Sequence, residues 1–186
     1  MADPSLYTYS SPLKGYEGLD PLPTEKETEG PNAKAYINPP SNTLSKAYDE
    51  FASPITNGTR GGFDLHIYYL QTNAEETKFA TELHERIRRE FPELRIYRLF
   101  EGPIGPHPLA MFEVNVLTPQ QFGALVSWLV VHRGPLSVLV HPNTGDDVRD
   151  HTQRATWMGQ PIPLQVGLLR DIEKMKAQQR AQSNGL

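Results

Sequence analysis

Residues 109–142 read LAMFEVNVLTPQQFGALVSWLVVHRGPLSVLVHP, and the fold follows from them because two strand patterns flank one helix pattern, with a clear signal at each junction. Leu109–Leu117 alternates and is rich in β-branched and aromatic residues, as a strand with two different faces must be. Thr118 then supplies an N-cap hydroxyl. Pro119 takes the first helical position, where its missing N–H is no loss, and Gln121 stands three residues after the cap. Phe122, Leu125, Val126, Leu129 and Val130 form one apolar stripe at helical spacing. Gly134 ends the helix, and Leu136–Val140 is a further short apolar strand.

The preceding segment repeats the unit. Phe63–Leu70 (FDLHIYYL) alternates as a strand. Asn73 and Glu76 make a capping-box-like start, after which Phe79, Leu83, Ile87 and Phe91 recur at helical spacing as far as Pro92. Leu94–Phe100 reads as a second strand. The resulting order, βαββαβ, predicts a ferredoxin-like α+β domain: two helices cover one face of an antiparallel sheet and leave the other face free.

A chain of 186 residues suits one domain with a real core. Residues 1–60 are dominated by proline, serine, glycine and charged residues with no sustained period, which predicts an extended or disordered arm. The domain is expected over residues 61–170, followed by a polar, helix-prone tail over 171–186. The formal charge of -4, with no Lys/Arg block, gives no electrostatic reason to expect nucleic acid or an anionic membrane surface. With no cysteine, any metal must be held by histidine, carboxylate, carbonyl or water. No charged-then-apolar leader follows Met1, and no apolar run approaches the roughly 18 residues of a membrane span, so a cytoplasmic protein is the expectation. A homodimer is plausible for such a sheet.

Strand alternation sorts the side chains onto faces. Leu65, Ile67 and Tyr69, Phe112, Val114 and Val116, and Val138 and Val140 should meet the helices. That turns Asp64, His66 and Tyr68, Met111, Glu113 and Asn115, and Ser137, Leu139 and His141 to the other side. In a ferredoxin-like sheet the first and third strands are central neighbours and the fourth flanks the first, so His66, Glu113 and His141 can converge. Two imidazoles and a carboxylate on one side of a metal form the facial triad of non-haem Fe(II) sites. Glu113 has two other readings. It could be a solvated carboxylate or a partner of Arg98, and a three-histidine set drawing on His107 or His151 would replace it.

The remaining histidines divide by context. His107 lies between Pro106 and Pro108 in a rigid loop, which suits a ligand or an acid/base group. His151 belongs to HPNTGDDVRDHTQRATWMG, residues 141–159, where nearby carboxylates can orient its ring. His107 and His151 are thus the catalytic acid/base candidates. His84 sits off the apolar stripe of the first helix, on a face expected to be solvated. His132 is explained by the helix C-terminus it occupies. Trp157 reads equally as a pocket wall or a core anchor.

The runs FDLHIYY, GPHPLAMFEV and LSVLVHPNTGDDVRDHTQRATWMG resemble those of the DOPA 4,5-dioxygenase family, ferredoxin-like proteins of fungi and bacteria, over about residues 61–165. The resemblance implies a non-haem iron, extradiol ring-cleaving dioxygenase that takes O₂ and L-DOPA or another catechol. The family's histidine positions fall on His66, His107, His141 and His151, and which of the four hold the metal is left open. For an amino-acid substrate a guanidinium should meet the carboxylate, with Arg98, Arg149 and Arg154 as candidates and Tyr68 beside them on the substrate face. Two other classes compete. RNA binding on the sheet is disfavoured, because no basic-aromatic strand is present and the charge is negative. A non-catalytic binder of small aromatic ligands, or a zinc protein using the same histidines, is the stronger rival.

Overall fold

A computed structural model of the chain describes residues 8–183. It divides into two compact units, residues 1–45 and 46–186. The described part of the first has turns and one isolated bridge, between Lys26 and Tyr36, but no regular strand or helix.

The second unit begins earlier than residue 61. A 3-10 turn at Lys46–Tyr48 leads to Phe51, which is buried and packs edge-on against Phe63 and Phe122. The helical and strand elements follow in the anticipated order: β1 (Phe63–Tyr69), α1 (Ala74–Glu90), β2 (Arg95–Ile96), β3 (Ala110–Val116), α2 (Pro119–His132) and β4 (Ser137–Pro142). Both predicted caps form. The Asn73 side chain accepts from the backbone N–H groups of Glu75 and Glu76, and Thr118 Oγ1 accepts from that of Gln121. Two further elements were not anticipated, α3 (Asp147–Asp150) and β5 (Thr156–Met158), and the helix-prone tail forms α4 (Val166–Ser183). The helix α4 takes in most of the expected tail. It begins five residues before that tail, buries Leu169, and accepts the Val148 backbone N–H at Glu173.

The sheet is antiparallel, with order β2-β3-β1-β4-β5. Its first four strands have the predicted ferredoxin-like arrangement. The second strand is much shorter than residues 94–100. Tyr97 N–H reaches Glu113 O, and Phe100 pairs with Met111, so three steps on one chain oppose two on the other and a bulge interrupts the ladder.

The helix-facing side is the main core, built from Leu65, Ile67, Tyr69, Phe112, Val114, Val116, Leu125, Leu129 and Val138, among others. Each fully buried aliphatic or aromatic side chain contributes about 1.5–3 kcal/mol. Gly134 closes α2 at φ 56°, and a Cβ there would lie 2.3 Å from the Phe79 ring, so both the turn and the packing require glycine. The opposite face is not free, contrary to expectation. Tyr68, Met111 and Leu139 form a second apolar cluster on it, covered by Phe100, Leu109, Ala155, Trp157, Ile162 and Leu164. The chain after β4 folds back over this face, and the polar side chains there become interior groups. Among the described residues no helix is long and apolar enough to cross a membrane.

Candidate metal centre

Register sets the floor of the site. His66 lies opposite Glu113 on β3 and Leu139 on β4, while Asp64 lies opposite Asn115 and His141. His66 and His141 are therefore diagonal neighbours on one face, within reach of each other for long side chains. Their Nε2 atoms are 3.0 Å apart, and both residues are buried.

The third imidazole comes from the loop after β4. Gly145 turns the chain at φ 87°, Asp146 caps α3 by accepting from Arg149 N–H, and His151 ends that single turn. Asp150, 2% exposed, accepts from the Thr144 backbone N–H and hydroxyl and forms an ion pair with Arg154. Two of the three clustered aspartates thus shape and anchor the loop that carries His151. His66, His141 and His151 each place one ring nitrogen so that all three lie within 4.8 Å of one another.

The side chains around this set match what a cation needs. His141 Nδ1–H donates to the Pro142 carbonyl at 3.0 Å and His151 Nδ1–H to the Asp147 carbonyl at 2.8 Å, which leaves the Nε2 lone pairs of both unprotonated. Two nitrogens each about 2.1 Å from one ion, at right angles, would stand about 3.0 Å apart, which is the separation found between His66 and His141. The Nδ1 of His66 is buried without a hydrogen-bond partner, and Glu113 Oε2 lies 3.9 Å from it. With a cation at Nε2, the His66 proton sits on Nδ1 and faces that carboxylate, the outer support usual for a ligating histidine. Glu113 is thus not placed as a ligand. It stands behind His66, and His151 supplies the third of the converging ring nitrogens.

His107 completes the group as the fourth ring. Its loop is a tight turn in which Ile104 and His107 exchange both backbone hydrogen bonds, and Pro106 O accepts from Gln165 N–H. The His107 ring centroid is 4.2 Å from that of His66 and 5.9 Å from that of His151. Its Nδ1 is 2.6 Å from the Tyr68 hydroxyl, and the Tyr68 ring stacks on Trp157. Tyr68 was expected to meet substrate, but it is buried and bound to His107. Trp157 serves as a wall of the second cluster.

All four imidazoles are held neutral. Burial first, and then the neighbouring histidines, lower His66 far below the usual range and His107 to about 3. Burial and then His141 lower His151 to about 4, and burial lowers His141. Desolvation excludes the imidazolium, and the resulting neutral nitrogens are what a metal requires. Glu113 is raised by burial and then by Asp64, and Asp64 itself is raised by burial. Asn115 Nδ2 bridges the two carboxylates, at 2.6 Å from Asp64 and 2.8 Å from Glu113.

A cavity of about 600 Å³ adjoins this corner, lined by Asp64, Glu113, Asn115, Asn143, Arg60 and Arg95, among others. The arginines expected to meet substrate do not line it. Arg98 lies exposed over the Phe100 ring, within the bulge, Arg149 pairs with Asp146, and Arg154 is tied to Asp150. Arg95, opposite Asn115 on β3, carries the signal that sequence reasoning missed: its strand parity places it with Asn115 and Glu113. Of the other histidines, His84 Nε2 bonds to the Tyr97 carbonyl, and the His132 ring lies 4.5 Å from that of Trp128.

The sequence model of the Dopa 4,5-dioxygenase family matches residues 63–168, which include all four clustered histidines. An uncharacterized 21.2 kDa protein of Botryotinia fuckeliana is 59% identical over 184 residues, covering 95% of this chain and 99% of its own. The DOPA 4,5-dioxygenase of Amanita muscaria is 33% identical over 136 residues, covering 70% of this chain and 59% of its own length. The crystal structure of a candidate dioxygenase from Nostoc punctiforme superposes with a TM-score of 0.55 at 39% identity, over 60% of this chain and 92% of that one. A dioxygenase-like function agrees with these relatives and with the neutral, converging imidazoles, and the chain belongs to the Dopa 4,5-dioxygenase family.

Proposed function

We propose that the protein is a non-haem Fe(II) extradiol dioxygenase acting on L-DOPA or a related catechol, with His66, His141 and His151 holding the metal. The observation that carries the reading is the convergence of three ring nitrogens within 4.8 Å, two of them on histidines whose other nitrogen is tied to a carbonyl. Imidazole sets suit iron, copper, nickel and zinc alike. Membership of a dioxygenase family favours a redox-active ion over zinc, which has no redox chemistry. A ferrous ion there supplies Lewis acidity toward the diol and a conduit for electrons from the ring to O₂.

The protein's own groups do the rest. His66, His141 and His151 would hold the ion through neutral ring nitrogens, and a set of only three protein ligands would leave it accessible to substrate. His107, neutral and fixed by its turn, presents Nε2 as the proton acceptor for the second hydroxyl, while Nδ1 shares a proton with the Tyr68 oxygen. Because a phenol both donates and accepts, Tyr68 supports either tautomer of His107, so the same nitrogen can return a proton later in the cycle. Trp157, Leu139 and Met111 beside this pair exclude water.

The test is metal analysis of protein purified without oxygen, followed by Fe(II) reconstitution and addition of O₂ with a catechol. Stoichiometric iron, oxygen uptake equal to catechol consumed and a yellow ring-opened product are expected. Tight zinc binding with no oxygen uptake over any catechol would refute the reading and leave a zinc or ligand-binding protein.

A further inference from the structure

Residues 11–14 read SPLK, a serine followed at once by proline and, at the third position after it, by lysine. The segment belongs to the first compact unit, in which every described residue is exposed and no regular strand or helix forms. Tyr9, Leu13 and Tyr16 leave most of their surface in solvent, so no packing holds the stretch in place. What shapes it is one turn. Lys14 N–H donates to the Ser11 carbonyl at 3.0 Å, and Leu13 N–H to the Ser11 hydroxyl at 3.2 Å. Water can replace both exposed bonds at little cost, so the backbone is free to extend in the cleft of another protein.

These features match one kind of partner. A protein kinase positions a target hydroxyl against the γ-phosphate of ATP, and it takes the target as an extended chain. Proline after the serine has no N–H to leave unpaired when the cleft closes over it, and it biases Ser11 itself toward extended backbone. A lysine at the third position offers a point charge to the phosphorylated activation loop of such a kinase. The other serine- or threonine-proline pairs lack this combination. Ser53 lies in a turn closed by the Asn57 side chain on Phe51, with Thr56 at the third position. The Thr118 hydroxyl is committed to the α2 cap, with Gln121 at the third position.

We infer that Ser11 is a phosphorylation site for a proline-directed protein kinase. The γ-phosphoryl group passes from ATP to Ser11 Oγ, the bond to the β-phosphate breaks, ADP leaves, and the hydroxyl proton goes to the catalytic aspartate of the kinase. The product carries about two more negative charges on a chain whose formal charge is -4. Its phosphate takes over the Leu13 N–H in a stronger, charge-assisted bond and tightens the turn. The site is independent of the metal centre and of the reaction proposed there.

The test incubates the full chain with a cyclin-dependent kinase, Mg²⁺ and ATP, and maps phosphate by tandem mass spectrometry. Phosphate should enter at Ser11. Ser11→Ala should abolish incorporation, while Ser10→Ala and Ser53→Ala should leave it unchanged. Lys14→Ala should lower the kcat/KM of the kinase about tenfold or more, as for loss of a charged hydrogen bond. The Leu13 amide should exchange more slowly with solvent once Ser11 is modified; equal exchange overturns the tightening. Protein isolated from its own cells across growth stages, with phosphatases inhibited, should yield the Ser11 phosphopeptide. Phosphate at Ser53 or Thr118 in place of Ser11, a Lys14→Ala chain modified as fast as wild type, or recovery of only the unmodified peptide at every growth stage overturns the inference.

Discussion

His151→Ala separates a three-histidine centre from one completed by Glu113. Structural zinc sites with four ligands bind with about 10–16 kcal/mol, or about 2.5–4 kcal/mol per ligand if shared evenly. At 1.4 kcal/mol per factor of ten, loss of one imidazole should weaken the metal by about 10²–10³-fold. The structure makes this a loss of one ligand and little more. The His151 ring is tethered to Asp147 O, while the loop is fixed independently by Asp150 through Thr144 and Arg154, so truncating the ring leaves its anchor intact. Glu113 stands behind His66 at 3.9 Å, and support of that kind is worth about 10–100-fold in affinity. Glu113→Gln, which keeps an acceptor oxygen, should lose less than Glu113→Ala. The assay is competition with a chromophoric chelator under argon, using Fe(II) and then Zn(II), alongside His66→Ala and His141→Ala, which should fail to retain metal. A Glu113→Ala protein without metal beside a His151→Ala protein with wild-type affinity would refute the geometry and restore the carboxylate as third ligand.

Three further outcomes follow from particular contacts. Tyr68→Phe keeps the ring stacked on Trp157 but removes the hydroxyl that fixes His107, so kcat should fall about 10²-fold or more while bound metal stays stoichiometric; unchanged turnover would exclude Tyr68 from proton handling. Metal-free protein should lose stability as pH falls below about 6.5, because the unfolded chain protonates His107 and His151 first while the folded values lie near about 3 and about 4. At pH 5 the loss is about 2 kcal/mol for each, since 1.5 pH units at 1.36 kcal/mol per unit separate that pH from the unfolded value; a urea midpoint equal at pH 7 and pH 5 would refute neutral burial. Phe51→Ala should cost about 3 kcal/mol, seen as a lower denaturant midpoint, since its ring packs against Phe63 and Phe122; no shift would place residues 46–60 outside the folding unit.

Much of the fold was legible because its signals are local. Alternation in Phe63–Leu70 and Leu109–Leu117, the Asn73 and Thr118 caps and the α2 stripe each depend on neighbours a few residues away. Parity likewise put His66, His141 and Glu113 on one face, where register places them. The same reasoning found the right strand for β2 but not its bulge. An extra residue is a matter of pairing with β3, and Arg98 falls within that irregular stretch while Arg95, paired with Asn115, lines the cavity.

What the amino-acid sequence determined by itself was therefore the order of elements, the face of each strand residue and the set of histidines worth considering. The third converging imidazole, the partner of Tyr68 and the closure of the sheet's second face were decided only by tertiary structure. The physical reason is the range of the interactions. A strand's pleat fixes which way a side chain points, whereas the positions of His107 and His151 above the sheet depend on loops held by bonds such as Thr144 to Asp150 and Gln165 to Pro106, whose outcome no local pattern encodes.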